Sequence, residues 1–568
     1  MILYFAGNQW VEPKDWEQVI DTHPDDPAAQ PGYAAAKAEI DHTRLFDCAT
    51  KAITNPGSPD ADLFCCGHSL LADGRLITAG GTQHWPIDGK DLHAAHWSGT
   101  LDSWLFEPHS AGWLKTGSLN EIPNPNPNET QDFGVLGGGR WYPTVITLAS
   151  GHAMAHCGHP VIGFFSEFSG FDTRHNNTTP EVFDPANNAW TVIDTALGVS
   201  EAHDYAPYYP RMHVIPGSGD VLVVQPLYSK TVTYSDPPKT NLESSNPLDT
   251  APPYHVDVKD NSLFYSVTTR QVTAGFPGPQ SLNPIYLNTL FTSQQTTSVM
   301  LPLLHEENYR PFVLLCGAVQ PLIADLAPSS EPIRWIPTPP RALTDPATGY
   351  PPVRNFANAT LLPTGDVVVT GGVTKYKYQE SDGVRAVEIF NRATGWVDQG
   401  RGPSACETRG YHSSALLMPD GRVWTAGGEE EWNNGIPNLS IELFEPDYYS
   451  VADRVAVVHS PSKLTYGESF TVTFSPTKAK TPIERVALLR NGSCTHAFDA
   501  DQRYVSVPFT SHGTRLTVTA PPNATIAPPG FYMLWLIDRN GLPCKLAPFI
   551  QLTGQVSDIS YIFPVTLG

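Results

Sequence analysis

The fold is decided by two similar stretches, HSLLADGRLITAGG at 68–81 and YHSSALLMPDGRVWTAGG at 411–428. Each begins with apolar residues, passes through an Asp-Gly-Arg turn, continues as a second alternating apolar run and ends at Gly-Gly. Alternation with period two is typical of a strand, and a turn pair such as Asp-Gly between two such runs predicts a β-hairpin. The stretch NATLLPTGDVVVTGG at 358–372 has the same pattern, so a repeated hairpin organises the chain.

Looser copies of this hairpin and a second recurring element complete the repeat. The looser copies are YPTVITLASGHAMAHCG at 142–158 and MHVIPGSGDVLVV at 212–224. The second element is an aromatic strand, a turn and a tryptophan, found as WLFEPHSAGW at 104–113, EVFDPANNAW at 181–190 and EIFNRATGW at 388–396. Two hairpins per repeat give four strands.

The spacing of the repeats predicts how many there are. The wide gap between Gly219 and Gly365 has room for one further unit, which we expect around RPFVLLCGAV at 310–319. The opening MILYFAG resembles the end of another unit. Four-stranded units with Gly-Gly endings are typical of kelch repeats, so the sequence predicts an all-β chain with a seven-bladed kelch-type β-propeller.

The pattern changes after about residue 450. From Arg454 onward the chain has short alternating strands such as SFTVTFSP, ERVALLRNG and RLTVTAPP, at the spacing of a β-sandwich. We therefore expect two domains, a propeller over 1–450 and a small immunoglobulin-like β-sandwich over 451–568. The best helical candidate in the chain is the short run Tyr33–Ile40.

Composition and charge exclude several classes of function. The 568 residues carry a formal net charge of −22, which disfavours binding to nucleic acid or to an anionic membrane surface. No apolar run approaches the roughly 20 residues that span a bilayer. The start of the chain does not resemble a signal peptide, since MILYFA has no basic flank and is followed by polar residues.

Four segments at hairpin starts and in the C-terminal region combine reactive residue types: DLFCCGHS at 62–69, GGRWYP at 138–143, RGYHSS at 409–414 and CTHAFDADQR at 494–503. In this order they resemble the active-site segments of the galactose oxidase and glyoxal oxidase family. The family's F-C-x-G motif matches Phe64–Gly67, and its tyrosine two residues after an arginine matches Tyr142. The PPGFYMLWLIDRNGLP run at 528–543 matches a signature of the family's C-terminal domain.

This resemblance implies a copper radical oxidase. It makes Tyr142, Tyr411, His412 and His496 the ligands of one copper ion, with Tyr411 axial and acting as the base. It joins Cys65 to Tyr142 by a thioether that forms a self-generated radical cofactor. The expected reaction oxidises a primary alcohol or hydrated aldehyde with O2 and gives H2O2.

Several points stay open at this stage. Neighbouring residues in a strand face opposite sides, so only one of Cys65 and Cys66 can face Tyr142, and the motif favours Cys65. Cys494 and Cys544, which flank the proposed ligand loop and a C-terminal turn, are candidates for a disulfide if the protein is exported. The histidines and cysteine at 152, 156, 157 and 159 have a spacing that suits a metal site on a helix, whereas their segment is predicted to be a strand.

The match to galactose oxidase also breaks in places. That enzyme has a tryptophan 18 residues after the linked tyrosine, and the same count from Tyr142 reaches Pro160. Arg211 is the one candidate for the arginine that grips galactose, and the enzyme's N-terminal carbohydrate-binding domain has no counterpart. We therefore expect a glyoxal oxidase-like rather than a galactose-specific activity.

The alternative is a non-catalytic kelch propeller that binds a protein or glycan partner. Under the leading interpretation the partners are a small alcohol or aldehyde and O2, without nucleic acid or a membrane span. The resemblance implies a secreted or cell-surface protein, and we expect a monomer.

Overall fold

The structure is a computed structural model. It describes residues 1–5, 42–84, 98–120, 139–158, 177, 179–193, 208–224, 228–229, 258–259, 263–266, 271–273, 296–317, 321–326, 333–344, 351–375, 378–401, 407–429 and 438–554. These residues form strands, turns and the short 3₁₀ helices His305–Glu307, Glu380–Asp382 and Asp447–Ser450, which confirms the all-β class. The helical candidate Tyr33–Ile40 lies outside them. In the described part of the chain, no helix has the length and apolar character to cross a membrane.

The chain packs as two compact units, and each is described by itself. The first comprises 1–146 and 152–209, and the second comprises 147–151 and 210–568. The predicted domains, 1–450 and 451–568, divide the chain by its sequence pattern and remain a prediction.

The first unit contains antiparallel meanders in which most neighbouring strands follow one another in the chain. Their sheet orders are β1-β2-β3, β4-β5-β8-β9, β6-β7 and β10-β11-β12-β13. The strands are β1 (Ile2–Phe5), β2 (Thr43–Phe46), β3 (Ile53–Thr54), β4 (Gly67–Leu70), β5 (Leu76–Ala79), β6 (Thr82–His84), β7 (Ser98–Gly99), β8 (Ser103–Glu107), β9 (Gly112–Lys115), β10 (Thr144–Thr147), β11 (Ala153–His156), β12 (Glu181–Asp184) and β13 (Ala189–Val192).

The second unit continues the same pattern up to residue 450. Its sheet orders there are β14-β15-β18-β19, β16-β17, β20-β21-β22-β23, β24-β25-β26-β27 and β28-β29-β30. The strands are β14 (Arg211–Val214), β15 (Val221–Val224), β16 (Tyr228–Ser229), β17 (Val258–Lys259), β18 (Leu263–Ser266), β19 (Gln271–Thr273), β20 (Thr297–Met300), β21 (Phe312–Cys316), β22 (Leu322–Asp325), β23 (Arg334–Pro337), β24 (Asn358–Leu361), β25 (Val367–Thr370), β26 (Ala386–Asn391), β27 (Gly395–Arg401), β28 (Ser413–Leu417), β29 (Val423–Gly427) and β30 (Ile441–Phe444).

The C-terminal part of the second unit has a different topology. Its sheet orders are β31-β33-β39-β38, β32-β41-β40-β34-β37 and β35-β36. The strands are β31 (Ala456–His459), β32 (Lys463–Thr465), β33 (Ser469–Ser475), β34 (Ile483–Arg490), β35 (Cys494–Thr495), β36 (Phe498–Asp499), β37 (Arg503–Val507), β38 (Phe509–His512), β39 (Arg515–Thr519), β40 (Gly530–Asp538) and β41 (Phe549–Thr553).

The predicted hairpins are present, and their turns follow from the Asp-Gly-Arg sequence. The hairpin at 68–81 is β4–β5, and the hairpin at 411–428 is β28–β29. In the first turn Gly74 has φ 91°, a left-handed conformation that glycine adopts without strain. The Asp73 carboxylate accepts the Arg75 backbone N–H at 3.1 Å and pairs with the Arg75 side chain at 2.8 Å.

The unit predicted around 310–319 is also present. Phe312–Cys316 is the second strand of a four-stranded sheet, paired on one side with β20 and on the other with β22. Counted over the described residues, seven meanders of three or four strands precede residue 450.

Candidate metal centre

Most of the candidate residues adopt a backbone conformation that is uncommon outside glycine. Cys65 has φ 62° and stands two residues before β4, and Tyr142 has φ 66° two residues before β10. His412 has φ 67° directly before β28, and His496 has φ 47° in the turn between β35 and β36. A left-handed backbone conformation costs free energy at a bulky residue, and such residues concentrate at functional sites. Cys65, Tyr142 and His412 therefore lie in strained backbone just before a strand, and His496 lies in a strained turn.

A buried arginine holds the loop before each of two such strands. Arg140 lies two residues before Tyr142 and is fully buried, and its Nη2 lies 2.8 Å from the Glu181 carboxylate on β12. Arg409 lies two residues before Tyr411, and its Nε lies 3.3 Å from Glu442 on β30. Each pair ties the loop before the first strand of a sheet to the third strand of the same sheet.

Within the first unit, Cys65 and Tyr142 are neighbours. The Tyr142 backbone N–H donates a hydrogen bond to the Cys65 carbonyl at 2.9 Å. The exposed fraction is 4% for Cys65 and 5% for Tyr142. The two residues that the resemblance links are thus in backbone contact although the sequence separates them widely.

Cys66 has a different environment. Its side chain packs in an apolar cluster with Ala61, Leu63 and Trp104. Burial, with a smaller contribution from Asp62, raises the pKa of the Cys66 thiol far above its usual value, so the thiol stays protonated. Cys65 lies in a turn rather than in a strand, so the expectation of alternating faces does not apply to the pair.

Trp141, which was not among the predicted site residues, lies against Tyr142. Its ring stacks on Tyr142 with centroids 3.8 Å apart and planes 18° apart, and its exposed fraction is 4%. Tyr208 meets both rings edge-on at 5.4 Å, and Tyr209 lies 4.9 Å from Tyr142. The count of 18 residues from Tyr142 reaches Pro160 and finds no tryptophan, whereas the adjacent Trp141 reaches the ring because left-handed Tyr142 interrupts the strand alternation that separates neighbouring side chains. The adjacency of Trp141 to Tyr142 was the signal.

Within the second unit, the fold brings Tyr411, His412 and His496 together. The ring centroids of Tyr411 and His412 lie 3.7 Å apart, and those of His412 and His496 lie 4.8 Å apart with perpendicular planes. Tyr411 and His496 meet at 5.3 Å. Because His496 comes from a segment far along the chain, this cluster of three is a product of the tertiary fold.

The hydrogen bonds of the two imidazoles indicate which nitrogen each offers to a metal. His412 Nδ1 lies 2.8 Å from the Glu429 carboxylate, and His496 Nδ1 lies 2.8 Å from the Thr495 hydroxyl. A ligating histidine usually makes this kind of contact through its other ring nitrogen. The Nε2 atoms are fully buried, and the ligand nitrogens of the two rings lie within 4.8 Å of one another. This donor set fits a copper or zinc ion.

The His496 loop is braced by buried polar groups. The Asp499 carboxylate accepts backbone N–H groups from Ser493, Asp501 and Gln502 at 2.8 to 3.1 Å. Burial raises the pKa of Asp499 to about 6. These contacts confirm that Asp499 braces the loop, and Asp501 does the same through its ion pair with Arg490.

Arg211 also belongs to this framework. Its exposed fraction is 1%, and its guanidinium donates to the carbonyls of Thr296 and His496. The suggestion that Arg211 grips a sugar substrate is therefore wrong, because backbone oxygens already take its donors. Its function is to hold the left-handed His496 turn.

The other candidates from the sequence do not form sites in the described residues. Cys494 and Cys544 are both free thiols, so the disulfide is absent. His156 and Cys157 are buried on and after β11, and burial lowers the pKa of His156 to about 3. His152 lies 3.6 Å from Asp184, while His159 lies outside the described residues.

Comparison with known proteins finds similarity to galactose oxidase and to aldehyde oxidases. Residues 454–551 match the family model described as galactose oxidase-like, early set domain. A galactose oxidase of Gibberella zeae is 27% identical over 208 residues, which is 35% of this chain and 29% of that protein. An aldehyde oxidase, GLOX, of Vitis pseudoreticulata is 30% identical over 231 residues, 35% of this chain and 41% of that protein.

One further relative is similar over a longer stretch. A WSC domain-containing protein of Arthroderma benhamiae is 24% identical over 511 residues, 87% of this chain and 46% of that protein. This chain thus matches less than half the length of these curated relatives.

Among solved structures, a fungal alcohol oxidase of the AA5 family in complex with copper has the same fold. Its TM-score is 0.63 with 20% sequence identity, over 90% of each chain. At this identity the likeness establishes the fold alone.

Proposed function

We propose that this chain, which is related to the galactose oxidases and aldehyde oxidases, is a copper radical oxidase that converts a primary alcohol or hydrated aldehyde with O2 and releases H2O2. The observation that carries the proposal is the pair of imidazoles of His412 and His496, with Nδ1 of each in a polar contact, Nε2 of each fully buried, and ligand nitrogens within 4.8 Å of one another. Tyr411 beside them supplies a phenol oxygen.

The proposed ligands are His412, His496, Tyr411 and Tyr142. Two imidazoles and two phenolates suit tetragonal Cu(II) and leave a position for substrate. Copper and an oxidised, thioether-linked Tyr142 would each supply one of the two electron acceptors that the reaction needs. The remaining roles, proton transfer and protection of the oxidised phenol, belong to side chains of the protein.

In this proposal Tyr411 takes the hydroxyl proton of the substrate, since a phenolate close to the reacting oxygen is a general base. Cys65 forms the thioether: the S–H bond and one ring C–H bond of Tyr142 are lost, and two electrons and two protons pass to O2 as H2O2. Trp141 covers one face of the Tyr142 ring and so keeps water from the oxidised phenol.

The proposed substrate class is closer to that of glyoxal oxidase than to galactose. Two observations support this preference. The relative from Vitis pseudoreticulata carries an aldehyde oxidase name. Arg211, the one candidate for gripping a sugar, is committed to backbone carbonyls.

We also propose the finer architecture that the sequence predicts. The seven meanders before residue 450 would be the blades of a kelch-type propeller, and 451–568 would be an immunoglobulin-like sandwich that contributes His496. The family likeness supports secretion or a cell-surface location and action on a small molecule. The proposal also takes the protein to be a monomer that does not bind nucleic acid.

Intact mass tests the proposal. Purified protein treated with Cu(II) and O2 should become lighter by two hydrogen atoms, and Cys65 should resist alkylation. The matched variants are Cys65→Ser, which should show no loss of mass, and Cys66→Ser, which should lose mass as the wild type does. Copper content and peroxide release with a panel of alcohols and aldehydes complete the test.

The second candidate is a kelch propeller that binds a protein or glycan partner without catalysis. The repeated meanders before residue 450 favour it, since a repetitive β fold by itself does not determine function. Protein that binds no copper after aerobic loading, keeps its mass and has an alkylatable Cys65 would favour this binder and overturn the oxidase.

A further inference from the structure

Glu429 contacts two of the proposed copper ligands, His412 and Tyr411. It follows the Gly427–Gly428 end of β29, and its exposed fraction is 6%. Its carboxylate lies 2.8 Å from His412 Nδ1, and its backbone N–H donates to the Tyr411 carbonyl at 3.0 Å. One residue thus holds the ring of His412 and the backbone of Tyr411.

Tyr378 closes the arrangement from the other side. Its hydroxyl accepts the Tyr411 backbone N–H at 3.1 Å and donates to the Glu429 carbonyl at 3.0 Å. Burial, then the charge of Glu429, raises the pKa of Tyr378 far above its usual value, so the hydroxyl keeps the proton that it donates. We call Tyr378 and Glu429 together the ligand clamp.

Glycines next to the proposed ligands leave room for the ligand clamp. A Cβ on Gly410 would lie 2.6 Å from Tyr378 Cζ, so only glycine lets the Tyr378 ring approach here. Gly427 and Gly428 have φ 70° and 99°, which turns the chain so that Glu429 points back to His412. Glycines before β28 and at the end of β29 therefore allow Tyr378 and Glu429 to take these positions.

The two imidazoles differ in the charge of their partners. The partner of His412 is a carboxylate, whereas the partner of His496 is the neutral Thr495 hydroxyl. A carboxylate fixes the ring with its proton on Nδ1, frees Nε2 for the metal and raises the basicity of that nitrogen. The negative charge also favours a more highly charged ion in the site.

We propose that Glu429 is the positioning residue that makes His412 the stronger of the two imidazole donors and so favours Cu(II) over Cu(I) in this site. The inference rests on the proposed function for the presence of copper. It adds a role for Glu429 and Tyr378, which are not ligands.

Copper affinities of four variants test the proposal. Glu429→Gln keeps an oxygen near His412 and removes the charge, Glu429→Ala removes the partner, and Tyr378→Phe removes one hydroxyl of the clamp. Glu445→Gln, an exposed position that pairs with Arg422, is the matched control for net charge. Cu(II) and Cu(I) dissociation constants are measured by chelator competition, and the melting temperature of each metal-free variant shows that it folds.

We expect Glu429→Gln to weaken Cu(II) binding about 10- to 100-fold. Cu(I) binding should weaken less, and the Cu(II) EPR hyperfine coupling should change. Glu429→Ala should lose at least as much, Tyr378→Phe should lose less, and Glu445→Gln should stay within about twofold of the wild type. A role in folding alone would weaken both oxidation states equally.

Two results would overturn the inference in different ways. Wild-type Cu(II) affinity in a folded Glu429→Gln variant, or equal losses for Cu(I) and Cu(II), would reject the role of Glu429 and leave the oxidase standing. Wild-type protein that binds no copper would reject the proposed function and this inference with it.

Discussion

At the scale of single residues, the site depends on left-handed backbone at positions that are not glycine. Cys65, Tyr142, His412 and His496 all have positive φ, which costs about 1–2 kcal/mol for each L-residue. Motif resemblance predicted these residues, whereas their conformation was not predictable, because glycine is the usual sequence signal for positive φ. For the same reason Trp141 was missed, and Glu429 was missed because nothing in the Gly-Gly-Glu sequence points to His412.

Trp141 should govern how long an oxidised Tyr142 survives. A stacked aromatic pair contributes about 0.5–1.5 kcal/mol beyond its burial, which corresponds to roughly a two- to tenfold effect. In copper-loaded Trp141→Leu we expect the visible bands of the radical to decay roughly two- to tenfold faster, while Trp141→Phe stays closer to the wild type. Decay followed by absorbance checks this, with copper content measured in parallel. Equal lifetimes in all three proteins would contradict the shielding role.

Asp499 should make stability depend on pH in an unusual direction. Its folded pKa, raised by burial to about 6, lies above the ordinary value of about 3.8 for an aspartate. The native state therefore holds a proton that the unfolded state releases between these values. The stabilisation is fully present below about pH 4 and is lost as pH rises through about 6.

The variant Asp499→Asn keeps an oxygen for the three backbone N–H groups and cannot ionise. The free energy of unfolding of the variant minus that of the wild type should rise by about 1–3 kcal/mol between pH 4.5 and pH 7.5. Urea unfolding at the two pH values measures the difference, with the exposed Asp60→Asn as control. A difference between wild type and variant that is the same at both pH values would show that Asp499 is ionised throughout.

At the scale of elements, the hairpins were predictable because their determinants are local. The Asp-Gly-Arg turn at 73–75 supplies both a left-handed glycine and a side-chain acceptor for the next backbone N–H. The pairs Arg140–Glu181 and Arg409–Glu442 were not predicted, since each joins a loop residue to a strand residue distant in sequence. They depend on the tertiary fold that brings the loop and the third strand of a sheet together.

The Gly-Gly ends of the hairpins should tolerate substitution poorly. A Cβ on Gly80, at φ 73°, would lie 2.0 Å from the Arg140 carbonyl oxygen, a backbone atom that cannot rotate away. Gly57 has φ 85° and nothing within 4 Å of the same position, so Gly57→Ala isolates the backbone strain. We expect Gly57→Ala to cost about 1–2 kcal/mol and Gly80→Ala to cost several kcal/mol.

Thermal unfolding of the two alanine variants measures this difference. A melting temperature of Gly80→Ala as high as that of Gly57→Ala would mean that the loop before Tyr142 can move away from β5. Copper content of any folded Gly80→Ala protein would then show whether that movement reaches the proposed site.

At the scale of the whole molecule, sequence pattern and packing divide the chain at different places. The repeats stop near residue 450, but the largest apolar core of the second unit continues past it. Leu314 and Leu361 belong to the same cluster as Leu488 and Trp535. The sequence shows where one strand pattern replaces another, whereas the extent of a shared core depends on side chains distant in sequence.

Copper should stabilise the folded chain by mass action. An ion that binds only the native state adds about 2.7 kcal/mol when its free concentration is one hundred times the dissociation constant. We expect a higher melting temperature for wild-type protein with copper than without it, and little or no rise for His496→Ala. Differential scanning calorimetry of the four samples checks this. An equal rise in the variant would place the stabilising copper elsewhere.

The backbone hydrogen bond between Tyr142 and Cys65 closes a long loop without a covalent bond. A carbon–sulfur bond at that point would tether the ends of the 65–142 segment in the unfolded chain as well. For a loop of this length the chain-entropy model of cross-links gives about 4–5 kcal/mol of stabilisation. The described cysteines form no disulfide, and thiol reductants do not cleave a thioether. Maturation of the proposed cofactor would therefore also be the step that makes the fold durable.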